Sequence, residues 1–211
     1  MFMAIKKQNI AFVSVAVGLA AFLAYKLLSI KSTKNKGMFT LFQNTKIEDG
    51  ENISIARGSI AELTKNPLNL TVGADWVKRI GGRLEPLQNT AKHKNISRFE
   101  RFDSYYHGLR AGIYQVLRYI RGEKAHTHKG ANAKLQTIED IVTEWAPSNE
   151  NNTEGYIKDV EKSSGVKRNK NIANNDKALL SMFKYMAQIE SSFKGDALLE
   201  KAYYSVKNLH L

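Results

Sequence analysis

The 211-residue chain contains no cysteine, which excludes disulfide crosslinks and thiolate metal sites. It has only three prolines, Pro67, Pro86 and Pro147, so long helices meet few built-in stops. There is no glycine-rich loop of the phosphate-cradling kind and no Ser-His-Asp order, leaving nucleotide-dependent enzymes and triad hydrolases without a sequence basis. No internal repeat is visible. Acidic residues are missing altogether from the first 36 positions, which hold six lysines.

Between those lysines runs an uncharged stretch from Asn9 to Tyr25, extending to Ile30 if Lys26 lays its apolar stem along lipid and lifts its ammonium to the headgroups. A helix rises about 1.5 Å per residue, so crossing the hydrocarbon core takes roughly 20 residues. Ile10, Phe12, Val17, Leu19, Phe22 and Leu27 are the apolar contacts such a span would make with a bilayer. Large side chains at Leu19, Phe22 and Leu23 interrupt the small-residue pattern of a cleavage site, so the expectation is a retained single-pass anchor over residues 1–31. Lysines are more numerous after the run than before it, which orients the remainder toward the cytoplasmic face.

The formal charge is +12, but beyond residue 36 there are 26 basic against 20 acidic residues. Half of the apparent basicity therefore belongs to the anchor, and nucleic acid is not indicated as a partner beyond a weak charge excess. Residues 32–58 read as a basic tether and a turn-rich linker. Residues 59–166 read as the main domain, mainly helical with a small irregular and β segment. Ser59 with Glu62 has the spacing of a capping box. A long amphipathic helix spans Ser104 to Arg121, with Leu109, Ile113, Val116, Leu117 and Ile120 on one face. Gly122 to Gln136 reads as a polar mobile loop. Thr137 with Asp140 starts the next helix, whose apolar face includes Trp145, and Thr153 to Ser164 forms another, closed by Gly165. Residues 167–211 read as a basic hinge followed by a helical hairpin, Asn175 to Glu190 and Gly195 to Asn208, placed as an appendage that docks on a partner.

Several features follow one another in a distinctive order. Asn66-Pro67-Leu68-Asn69-Leu70 leads to Trp76, then Arg98-Phe99-Glu100-Arg101-Phe102, then Gly108-Leu109-Arg110-Ala111, then Trp145-Ala146-Pro147-Ser148-Asn149-Glu150-Asn151-Asn152-Thr153 with Tyr156-Ile157. This succession, over residues 57–166, closely resembles a family of bacteriophage virion structural proteins. That family in turn is similar to lysozyme-like peptidoglycan hydrolases, in which a glutamic acid protonates the leaving oxygen of a glycosidic bond. The resemblance implies a lysozyme-like helical domain carried on a virion, with the lipid bilayer, other virion proteins and peptidoglycan as partners.

On that resemblance Glu62 and Glu150 are the candidate acids, and Asn66, Asn69, Trp76, Tyr105 and Asn151 the candidate sugar-binding residues. Each also has a structural alternative. Glu62 caps a short helix, and Glu150 precedes a helix N-terminus, where negative charge is favoured. No Glu-Ser helix end precedes Asn66, as it would in the hydrolases. His126 and His128 lack the carboxylate or thiol needed to complete a metal site, so no metal and no cofactor is expected. The sequence thus predicts a membrane-anchored virion component whose domain binds or cleaves peptidoglycan during infection. The alternatives are a non-catalytic protein linking virion membrane and capsid, and a bacterial envelope protein that binds glycan.

Overall fold

Helix formation in this chain follows its caps. The computed structural model describes residues 43–48, 50–73 and 75–211. The expected anchor at residues 1–31 lies outside them, and no helix among the described residues is long and apolar enough to cross a membrane.

The segment expected to be a linker is instead an antiparallel hairpin, β1 (Gln43–Glu48) and β2 (Glu51–Ala56), paired from Gln43↔Ala56 to Glu48↔Glu51. Between the strands Gly50 has a positive φ, 79°, as tight hairpin connections favour. Along β2, Ile53 and Ile55 are buried while their neighbours are not, the period of two of a half-buried strand. A short helix α1 (Ile60–Thr64) follows, with the Ser59 side chain accepting from the Glu62 N–H as the capping spacing predicts.

Residues 65–103 hold α2 (Val77–Ile80), a single 3-10 turn at Ile96–Arg98, and a two-residue pairing of β3 (Arg83–Leu84) with β4 (Arg101–Phe102). The central helix α3 (Tyr105–Arg121) starts at Ser104, whose hydroxyl accepts from His107 N–H, and ends at Gly122 in the left-handed conformation. Two further N–H groups of its first turn, on Tyr105 and Tyr106, donate to the Glu48 carboxylate at 3.1 and 2.7 Å. Those groups have no partner within the helix, so a carboxylate from β1 both satisfies and neutralises the helix end.

Then come α4 (Ile138–Trp145), capped by Thr137, and α5 (Thr153–Ser164), capped by Asn152 and closed by Gly165 at φ 69°. The last pair is α6 (Asp176–Ser191) and α7 (Asp196–Val206). The protein is mainly helical with small strand pairings, as the sequence predicts. The terminal pair, however, is no appendage. Its apolar residues Leu179, Met182, Phe183, Met186, Leu198, Leu199 and Tyr203 share one core with Leu109, Ile113 and Val116 of α3. The most extensive helix contact is between α3 and α7. The basic hinge is likewise a clamp: the Arg168 guanidinium spans Glu139 on α4 and Glu154 on α5 at 2.9 Å each.

Gly108 and Gly112 leave a groove on α3 that receives the Lys65–Asn66 backbone and the Leu68 side chain. A Cβ at Gly108 would collide with the Lys65 carbonyl oxygen, and one at Gly112 would reach Leu68 at 2.7 Å. Glycine is required there by close approach, and the groove positions the Asn-Pro segment.

Candidate functional site

The last turn of α6 carries an acid, Glu190, against the preference of a helix C-terminus for positive charge. Glu190 is held there by neutral donors from three other segments. Trp145 Nε1 and Tyr156 Oη each donate to its Oε1 at 3.1 Å, and Asn69 Nδ2 donates to its Oε2 at 3.1 Å. Burial raises the pKa of Glu190, and the bonds from Asn69, Tyr156 and Trp145 offset this only in part because none brings a positive charge. Beside it, Asn69 Oδ1 is buried with no hydrogen-bond partner among the described residues.

Local structure aims each group. Asn69 occupies the left-handed region at φ 52°, in a turn closed by its own N–H to the Asn66 carbonyl at 2.9 Å. Trp145 closes α4, and Tyr156 lies in the first turns of α5 behind the Asn152 cap. The neighbouring Ser191 hydroxyl donates to the Pro67 carbonyl at 2.8 Å, tying the end of α6 to the Asn-Pro turn. A carboxyl group that retains its proton above the ordinary range, near an indole and a phenol, has the chemistry of a general acid. It is equally a polar knot joining four segments.

The two acids singled out in the sequence lie elsewhere. Glu62 accepts from Gly58 N–H at 2.5 Å and pairs with Lys46 at 3.2 Å. Both contacts engage Glu62 in the local structure that its capping spacing predicts. Glu150 is exposed, 3.6 Å from Arg98.

Burial removes three expected sugar contacts from any open surface. Asn66 is 0 % exposed; its amide donates to the Leu70 and Glu100 carbonyls at 2.9 and 3.0 Å and accepts from Leu70 N–H at 3.0 Å. Trp76 is 6 % exposed with its ring against Tyr114, centroids 5.1 Å apart, and Tyr105 is 2 % exposed. Asn151 is exposed at the start of α5, where its neighbour Asn152 makes the cap. Only Asn69 among these residues reaches Glu190.

The loop expected to be mobile is pinned: His128 bonds Glu144 through both its N–H, at 2.9 Å, and Nδ1, at 3.0 Å, while His126 is exposed. Among the described residues no group of three His, Asp or Glu is placed to hold a metal ion. Asp103, Ser104 and His107, neighbours in the sequence, do meet. Ser104 Oγ and Asp103 Oδ1 both approach the same ring nitrogen, Nδ1, at 2.9 and 2.7 Å, so no relay through the imidazole can form. A cleft of about 360 Å³ between β2 and the α6–α7 turn is lined by Asn52, Lys184, Gln188 and Lys194, and includes none of the expected site residues.

Sequence reasoning missed Glu190. The available signal was its position four residues after Met186, continuing the buried stripe Leu179, Met182, Phe183 and Met186 with a carboxylate.

No protein-family model matches the chain. A curated relative does: Protein P5 of Pseudoalteromonas phage PM2 is 32% identical over 127 residues, covering 60% of this chain and 67% of that protein. The chain belongs to the family of phage PM2 Protein P5. The expected likeness to phage proteins thus stands at the level of a phage protein family. The likeness to peptidoglycan hydrolases has no family model behind it. In this P5-related chain Asn69, Trp145 and Tyr156 close around Glu190.

Proposed function

We propose that the chain is a membrane-anchored structural component of a bacteriophage virion, with a lipid bilayer and other virion proteins as its partners. The carrying observation is the 127-residue match to Protein P5 of phage PM2. The lysine-bracketed apolar run before residue 31 supports the bilayer. The internal engagement of Glu62, Asn66, Trp76 and Tyr105 supports a structural rather than a catalytic body. Purified particles test this by mass spectrometry and staged extraction: the protein should stay with the lipid fraction in high salt and leave only with detergent. Absence from particles, or presence in the envelope of uninfected cells, overturns the virion reading; release by salt alone overturns the anchor.

One observation favours a second reading, cleavage of host peptidoglycan. Glu190 is a carboxyl group with a raised pKa flanked by Trp145 and Tyr156, and it takes the place of Glu62 as the acid. Zymography of the detergent-solubilised chain on peptidoglycan separates the two. Clearing lost in Glu190→Gln but kept in Glu62→Gln supports this chemistry, and no clearing from the folded wild type at any pH rejects it.

A further inference from the structure

Residues 71–101 leave the body as one excursion between the Asn-Pro turn and α3. They hold seven basic residues and three acidic ones, so this stretch carries four of the six net positive charges found beyond residue 36. One acid, Glu100, is buried and paired with Arg83 at 2.8 Å. Lys78, Arg79, Lys92 and Lys94 are all exposed, and none forms an ion pair with a described residue.

We propose that this excursion is a docking surface for the anionic headgroups of a lipid bilayer, resting on the membrane reading above. The charges are displayed from a fixed platform. Glu100 N–H donates to Leu70 O and Val72 N–H to Arg98 O, both at 2.9 Å, closing the base. Trp76, Val77, Ile80 and Ile96 sink into the protein beneath it. The tip is shaped by His93 N–H to Thr90 Oγ1 and Ser97 N–H to Asn89 Oδ1, each at 3.0 Å, so Lys92 and Lys94 sit on a formed turn. Little ordering entropy is left to lose on contact.

Aliphatic exposure selects lipid over nucleic acid. Val72 is 39% and Leu84 38% exposed, and Leu84 lies opposite Arg101 in the β3–β4 pair, on the same face. Cations beside exposed aliphatic side chains suit the headgroup and acyl boundary. A single-stranded nucleic acid would call for open aromatic faces, but Trp76 is buried and Phe99 half-buried. Geometry permits the contact: the dozen residues from Lys31 to Gln43 reach at most about 40 Å when extended.

The absence of native cysteine allows a single environment-sensitive fluorophore at Ala91→Cys, on the exposed tip, with Ser163→Cys on α5 as control. The full chain is reconstituted with vesicles of phosphatidylcholine alone or of equimolar phosphatidylcholine and phosphatidylglycerol. A blue shift at position 91 is expected only with phosphatidylglycerol, reversed by high salt, and lost in Lys92→Glu/Lys94→Glu. Each lysine near such a surface gives roughly a fivefold gain in partitioning, so the double reversal should abolish the shift. An equal shift on neutral vesicles, an equal shift at position 163, a shift produced by DNA instead, or no shift at all overturns the proposal. Flotation of the same samples reads the anchor separately: a chain that fails to float with neutral vesicles refutes the spanning run, while the probe still decides the docking surface.

Discussion

Asn69 donates through one amide nitrogen to both the main-chain oxygen of Glu190, at 3.0 Å, and its carboxylate, at 3.1 Å, across 121 residues of sequence. The contact caps the C-terminal end of α6 with a side chain from the Asn-Pro turn, and it fixes the carboxylate where Trp145 and Tyr156 also donate. Four stretches of chain thereby depend on one acid.

Because the folded-state pKa of Glu190 is raised, the folded protein holds a proton there that the unfolded chain has released. The resulting stability is complete below the unfolded value and is lost as pH rises through the folded value. The melting temperature of the wild type minus that of Glu190→Gln should therefore fall as pH increases across that window. Melting curves of both proteins from acidic to neutral pH check this, and a difference that grows with pH contradicts it.

Gly108→Ala should destabilise the protein by about 3 kcal/mol, the upper range for forcing an extra methyl into a packed site. Its new Cβ meets the Lys65 main chain, which the adjacent Asn66 hydrogen bonds hold in place. Urea unfolding in detergent measures the change; a loss below half of that value would mean the 65–68 segment can yield.

The Arg168 fork holds the Glu154 carboxyl down to about 2, with help from Lys158. A depressed carboxylate contributes stability above its ordinary value of 4.5 that is lost as pH falls toward about 2. In Arg168→Gln the Glu154 titration followed by carbon NMR should move up toward that ordinary value. If it stays near 2, Lys158 and not Arg168 is the dominant cause.

Burial pushes the Glu144 carboxyl up, but the bonds from Lys124 and His128 outweigh it and leave the pKa lowered. Glu144→Ala should free the 122–136 loop and speed amide exchange at His128 by about tenfold, the loss expected for one charge-assisted hydrogen bond. Unchanged exchange at His128 would show that the loop is held by other contacts.

The helices with local punctuation could be read directly from sequence. Thr137 and Asp140 mark the start of α4, Gly165 the end of α5, and the stripe from Leu109 to Ile120 the buried face of α3. These signals act within a turn or two of chain, so no tertiary knowledge is needed. The β1–β2 hairpin carried its own signal, the Ile53 and Ile55 alternation behind Gly50, but it sits in a polar stretch whose linker-like composition outweighed that short period. The site was legible in part. Asn69, Trp145 and Tyr156 stood out as motif members, while their common partner is fixed only by the packing of α6 against α5 and the 65–70 turn. The same packing buries Asn66 and Trp76, which a sequence shows only as polar and aromatic residues of unknown depth.

Ser54 on β2 exchanges two main-chain hydrogen bonds with Lys194, at 2.8 and 2.7 Å, so the first described strands lean on the turn between the last two helices. During synthesis the hairpin leaves the ribosome long before that turn exists. The body therefore cannot close until nearly all of its residues have been made. Closure comes last in this chain, and the order is set by where Lys194 stands in the sequence.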